Sequence, residues 1–144
     1  MKNIKIYSDG SSLGNPGPGG WGTILEYNGN TKELSGGELN TTNNKMELKG
    51  AIEGLKALKE PCNVELISDS KYVVQAINEW LKNWIKNNWK TAGKKPVKNQ
   101  ELWREYLEVS QKHTIKATWV KGHAGHEENE RCDILARTEA EKLR

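Results

Sequence analysis

The apolar residues of this chain recur with one period up to Thr41 and with another beyond it, and few folds accommodate both. In the opening segment Ile4, Ile6 and Ser8 alternate with Lys5, Tyr7 and Asp9, the two-residue period of a strand closing at Asp9-Gly10. The SSLGNPGPGG run that follows is dense in glycine and proline and reads as a loop. WGTILEY from Trp21 and TKELSGGEL from Thr31 supply two further strands around a turn at Asn28-Gly29-Asn30, an antiparallel meander. In TTNNKMELKGAIEGLKALKEP the spacing becomes helical. Leu48, Ala51, Ile52, Leu55 and Leu58 share a face, Thr or Asn stands where a cap is needed, and Pro61 stops the helix. Gly50 and Gly54 lower the helix propensity but permit close approach to a sheet.

VELISD then reads as a buried strand ending at Asp69, and SKYVVQAINEWLKNWIKNNWK as two short helices. A Gly/Pro/Lys loop spans Gly93 to Lys98, and a helix follows with Leu102, Trp103, Tyr106 and Leu107. TIKATWVKG is a last strand, GHAGHEENE a loop and RCDILARTEAEKLR a closing helix. This order predicts an α/β fold, a five-stranded mixed β-sheet flanked by α-helices, in one domain spanning 1–144. With 35% hydrophobic and 28% charged residues and a mean hydropathy of −0.83, no apolar run approaches the roughly 18 residues of a membrane helix. The N-terminus lacks a sustained apolar stretch, and Cys62 and Cys132 form no CxxC pair. Both features point to a cytoplasmic protein.

The charge is unevenly distributed. Between Glu79 and Lys98 stand Lys82, Lys86, Lys90, Lys94, Lys95 and Lys98 against Glu79 alone, a local charge of +5 in a chain whose total is +3, so the remainder carries −2. Trp80, Trp84 and Trp89 lie in the same window, the first two on one helical face. Lysines interleaved with aromatics suit a polyanion bearing flat bases. The alternative is that the tryptophans are core and the lysines its solvated face.

Asp9 and Asp69 close two predicted strands, and in α/β sheets ligands bind in the crevice beyond strand ends. Glu47 lies in the first turn of the first long helix and Asp133 near the start of the last. Four acids in one crevice would repel each other and any phosphate unless cations joined them, and an all-oxygen set suits Mg²⁺ or Mn²⁺. Each acid also has a structural reading: Glu47 as a capping-box partner of Asn44, Asp69 as a cap, Asp133 as a helix N-terminal acid. A zinc cluster of His123, His126, Cys132 and Asp133 lacks a further soft ligand at the usual spacing.

The strings YSDGSSLGNPGPGGWG, TTNNKMEL, SDSKYV, WKTAGKKPVKN, LW and WVKGHAGHEENERCDILAR, in this order, resemble bacterial type 1 ribonuclease H across nearly the whole chain. The resemblance implies a ribonuclease H-like fold and hydrolysis of the RNA strand of an RNA–DNA hybrid with two divalent metals, leaving 5′-phosphate and 3′-hydroxyl ends. It maps Asp9, Glu47, Asp69 and Asp133 onto the metal-binding carboxylates, with Asp9 bridging, and His123 onto a loop histidine that aids proton movement or product release. It places Asn15, Asn43, Asn44 and Lys71 near the hybrid backbone or minor groove, and Thr42 and Asn43 at a pocket for a DNA phosphate. Trp80, Trp84 and Trp89 with Lys94, Lys95 and Lys98 match the basic protrusion, 79–98, that grips the DNA strand.

The sequence also departs from the family. Ser12 and Lys71 stand where better-known relatives have Cys and Gln, and Lys45 replaces an Arg. An ammonium cannot accept the hydrogen bond an amide can, so Lys71 alters the groove contact. The resulting expectation is a monomeric Mg²⁺-dependent nuclease acting on RNA–DNA hybrids. A non-catalytic hybrid- or duplex-RNA-binding module and a DNA nuclease of the same fold are the rival classes.

Overall fold

The computed structural model describes residues 1–122 and 126–144. Its strands are β1 (Lys2–Ser12), β2 (Gly17–Tyr27), β3 (Asn30–Thr41), β4 (Cys62–Ser68) and β5 (Thr114–Trp119). Its helices are α1 (Asn43–Lys56), α2 (Lys71–Gln75), α3 (Leu81–Lys86), α4 (Gln100–Ser110) and α5 (Glu127–Lys142), with a π-helical turn, Ala76–Trp80, between α2 and α3. The sheet runs β3-β2-β1-β4-β5. β1–β2 and β2–β3 are antiparallel, whereas β4 pairs in parallel with both β1 and β5. This is the mixed five-stranded sheet that the sequence implies.

The β2–β3 hairpin closes on Asn28 and Gly29, with φ of 50° and 81°. Two left-handed residues match the twist of the paired strands, which is why Asn-Gly is favoured there. Alternation along β1 divides its side chains between two cores. Ile4 and Ile6 join Leu48, Ile52, Leu55 and Leu66 on the α1 face, while Tyr7 packs with Ile24, Ile67 and Cys132 beneath α5. Trp103 of α4 is fully buried and edge-on to Tyr72, Trp84 and Tyr106, extending the first core away from the sheet.

Several expected boundaries shift. The Gly/Pro run is mostly strand: Ser11 pairs with Gly20 and Ser12 with Gly19, leaving only residues 13–16 as the connection. α1 ends at Lys56 instead of running to Pro61, because Leu58 N–H turns back to Leu55 C=O in a tightened last turn. Residues 71–86 form one helical path through the π turn, not two separate helices. α5 starts at Glu127, ahead of the expected Arg131, and Glu127, Glu128 and Glu130 complement the positive end of its dipole.

Both faces rely on close contact at glycine. A Cβ at Gly54 of α1 would lie 2.9 Å from Ile6 Cγ2, in line with the packing role read from the sequence. A Cβ at Gly22 of β2 would lie 2.5 Å from Cys132 O and 2.6 Å from Leu135 Cβ, so α5 can sit this low only over a bare backbone. Gly22→Ala therefore destabilises the fold by about 2–3 kcal/mol in urea unfolding. Gly29→Ala, whose φ is 81° but whose surroundings are open, costs about 1 kcal/mol. Equal costs at the two sites would refute the packing argument.

Candidate active site

The parallel ladder between β1 and β4 ends at Ser8 opposite Ser68. The next residue on each strand is an aspartate, so Asp9 and Asp69 emerge side by side where that pairing stops. β1 does not end there as the sequence suggested. It continues to Ser12 because β2 still pairs with it, Asp9 lying opposite Gly22. α1 starts directly over this point, and a side chain at Gly10 would overlap the Glu47 backbone amide. The bare backbone at Gly10 thus lets the helix bring Glu47 to the two aspartates. One carboxylate oxygen from each of Asp9, Glu47 and Asp69 lies within 4.8 Å of the others.

This crowding has an electrostatic signature. Burial first, then the charge of Asp69, pushes the Asp9 carboxyl up to about 8. Glu47 and Asp133 push in the same direction, against the 2.8 Å hydrogen bond from Gly10 N–H. Burial and then Asp69 likewise raise Glu47 to about 7, while a hydrogen bond from Ser70 favours its ionised form. Asp9 and Glu47 in this environment do not carry their full charge at neutral pH without compensation. Oxygen donors that converge in this way fit a hard divalent cation.

Asp133 stands apart from the close trio. α5 crosses β2 at Cys132, whose Sγ lies 3.4 Å from Tyr7 O, and this brings Asp133 near enough for its charge to act on Asp9. Its Oδ2, however, pairs with Arg137 Nε at 3.0 Å and Nη2 at 2.9 Å. The structure thus gathers three of the four predicted acids tightly and holds the fourth beside them.

The capping roles belong to other residues. Thr42 Oγ1 accepts from Lys45 N–H at the start of α1, so Glu47 lies beyond any capping box. Ser70 Oγ accepts from Val73 N–H at the start of α2, and Asp133 lies in the second turn of α5. The zinc reading also fails among the described residues. Cys132 is fully buried, and burial holds its thiol far above the ordinary range. His123 lies outside the described residues. His113 is a core histidine whose Nδ1 accepts from Cys62 N–H at 3.1 Å.

Asn15, Thr42, Asn43, Asn44 and Lys98 line one cleft of about 530 Å³, with Ser12, Leu13, Gly14 and Asn99. Asn43 Oδ1 accepts from Ser12 N–H at 2.6 Å, tying the β1–β2 connection to α1 one turn before Glu47. Asn99, with φ of 60°, was not singled out from sequence. Its only mark there is a turn-forming residue just before a helical pattern, and its Nδ2 donates to Tyr72 Oη at 3.1 Å. Lys71 is exposed, its Nζ 5.0 Å from the centre of the Trp119 ring, and Trp119 Nε1 donates to Asp69 O at 3.0 Å.

The tryptophans of the basic segment divide between core and surface. Trp89 is buried, with Arg104 stacked 4.7 Å over its ring. Trp84 is half-buried and Trp80 reaches the surface at 36% exposure. Lys82, Lys86, Lys90, Lys94, Lys95 and Lys98 are all exposed. Val97 N–H donates to Trp89 O at 3.1 Å and Thr91 N–H to Lys95 O at 2.8 Å, so buried Trp89 and Val97 pin a lysine-bearing loop at its base.

An acid whose folded pKa is raised lends stability only while protonated: fully below its ordinary value of 3.8, and lost as pH rises through about 8. In metal-free buffer Asp9→Asn is therefore more stable than the parent at pH 7.5, by about 1–3 kcal/mol, with the gap closing toward pH 4. Thermal unfolding of both proteins at the two pH values measures this. A gap independent of pH would contradict it.

A family model for RNase H matches residues 1–141. A Ribonuclease H of Sulfurovum sp. is 62% identical over 143 residues, covering 99% of this chain and 94% of that protein. Among solved structures, LC9-RNase H1, described as a type 1 RNase H with the type 2 active-site motif, superposes with a TM-score of 0.89 at 32% identity. That match covers all of this chain and 74% of the other. LC11-RNase H1 in complex with RNA/DNA hybrid gives a TM-score of 0.69 at 25% identity, over 96% of this chain and 97% of the other. The sheet order, the acidic trio and these matches agree, and the chain belongs to the ribonuclease H family.

Proposed function

We propose that this protein is an endonuclease that hydrolyses the RNA strand of RNA–DNA hybrids with two divalent cations, Mg²⁺ or alternatively Mn²⁺, leaving 5′-phosphate and 3′-hydroxyl ends. The observation that carries the reading is the meeting of Asp9, Glu47 and Asp69 within 4.8 Å, with Asp9 and Glu47 raised by burial and then by the charge of Asp69. A fold that retains such repulsion at a sheet end has a use for a compensating cation. The hybrid seen with LC11-RNase H1 supports the choice of substrate.

In this reading Asp9, Glu47 and Asp69 would hold the cations, with Asp133 as a looser ligand. Bound divalent ions supply an acidified water and charge neutralisation at the leaving oxygen. Water adds to phosphorus, the P–O3′ bond breaks, the water gives up a proton and the 3′ oxygen takes one. His123 is the proton-moving residue of this scheme, assigned on the resemblance alone.

Binding falls to the neutral and basic groups. Thr42 and Asn43 at the start of α1 receive a DNA phosphate through side chains and free backbone N–H groups. Asn15, Asn43 and Asn44 lie along the hybrid backbone or minor groove, where 2′-hydroxyls distinguish RNA from DNA. Lys71, lacking an acceptor, contributes charge where relatives contribute an amide. Trp80, Trp84 and the exposed lysines of 79–98 grip the DNA strand, with buried Trp89 acting from below. Residues 1–144 form one catalytic domain, and the protein acts as a monomer in the cytoplasm. Among the described residues no helix is long and apolar enough to cross a membrane.

Labelled hybrid, duplex RNA and duplex DNA incubated with parent and Asp9→Asn in Mg²⁺ test the activity. The parent cuts only the RNA of the hybrid, and Asp9→Asn loses more than the roughly 100-fold that outer-sphere metal mutations cost. Equal cleavage by both, or preferred cutting of DNA, would overturn the proposal. For the protrusion, Lys94→Glu, Lys95→Glu and Lys98→Glu together weaken hybrid binding at least about tenfold and flatten its dependence on salt. Unchanged binding at low salt would remove the protrusion from the interface.

A further inference from the structure

Arg137 lies one helical turn beyond Asp133 on α5, and its guanidinium sends both Nε and Nη2 to a single oxygen, Asp133 Oδ2. Pairs this exposed contribute little to stability, with 59% of the Arg137 side chain and 20% of the Asp133 side chain open to solvent. Orientation is the larger effect. The two contacts fix the rotation of the carboxylate and occupy Oδ2, while Oδ1 accepts no hydrogen bond from the described residues. Asp133 is also the acid outside the close trio whose charge nonetheless acts on Asp9.

We propose that Arg137 is a positioning residue for the cation site. It holds Asp133 by Oδ2 and thereby leaves Oδ1 as the oxygen this acid offers to a cation. The inference rests on the proposed cation reading and adds the device that prepares its loosest ligand. Outer partners of ligating carboxylates set ligand orientation in metal sites generally, and losing one costs about 10–100-fold in affinity or activity. The Asp133–Arg137 pair is exposed and single, so the low end of that range applies.

The test reads cation binding directly, without turnover. Hybrid-free protein is titrated with Mn²⁺, free ion being followed by electron paramagnetic resonance, for the parent, Arg137→Ala, Arg137→Lys, Asp133→Asn, Asp133→Asn/Arg137→Ala and Asp9→Asn. Arg137→Ala raises the Mn²⁺ Kd about tenfold. Arg137→Lys recovers part of the loss, since an ammonium pairs with Oδ2 but lacks the two-point contact. In the Asp133→Asn background Arg137→Ala has no further effect. An Arg137→Ala affinity equal to the parent's, or independent effects of the two substitutions, overturns the role of Arg137 while leaving the nuclease reading intact. Unchanged Mn²⁺ binding by Asp9→Asn would instead remove the cation site itself.

Discussion

Two helices press against one point of the sheet from opposite sides, and the site depends on that contact. Gly10 admits the start of α1 on one face, and Gly22, the register partner of Asp9, admits the Cys132 turn of α5 on the other. Asp9 lies between them. The same closeness brings Glu47 from α1 and Asp133 from α5, while parallel pairing of β1 with β4 sets Asp69 alongside. Packing energy from two cores thus forces together groups that repel each other. The raised carboxyls of Asp9 and Glu47 record the cost of that arrangement.

Charge is sorted along the molecule to match. Acids converge at the sheet end, whereas the chain's excess positive charge sits on residues 79–98, on α3 and on the exposed loop pinned by Trp89 and Val97. A cleft lined mainly by short polar side chains joins the β1–β2 connection, the start of α1 and the approach to α4, with Lys98 of the basic segment on its wall. In the proposed function a polyanion held by the lysines lies along this cleft, with cations between its phosphates and the acids.

Much of this was legible in the sequence because each element carries a local signal. The period change at Thr41 separates meander from helix, Asn28-Gly29 dictates its turn, and the two Asp-terminated runs point to the crevice. Capping could not be assigned that way. Several Thr, Asn, Ser and Asp residues compete for each helix start, and only the backbone reveals that Thr42 and Ser70 cap α1 and α2, leaving Glu47 and Asp69 to other work. The Gly/Pro run misled for a related reason: Gly19 and Gly20 serve close contact within paired strands, and only residues 13–16 make the turn. The Arg137 contact was invisible because an acid and a base four apart occur on many helices, and only the fold shows what this acid stands beside.

The central claim is that the repulsion among Asp9, Glu47 and Asp69 is balanced in the working protein by a divalent cation they hold jointly. A crystal grown or soaked with Mn²⁺ and recorded at a wavelength where manganese scatters anomalously tests this directly. The account predicts an anomalous peak in contact with oxygens of all three carboxylates. A peak elsewhere, or three carboxylates left without one at saturating Mn²⁺, would contradict it.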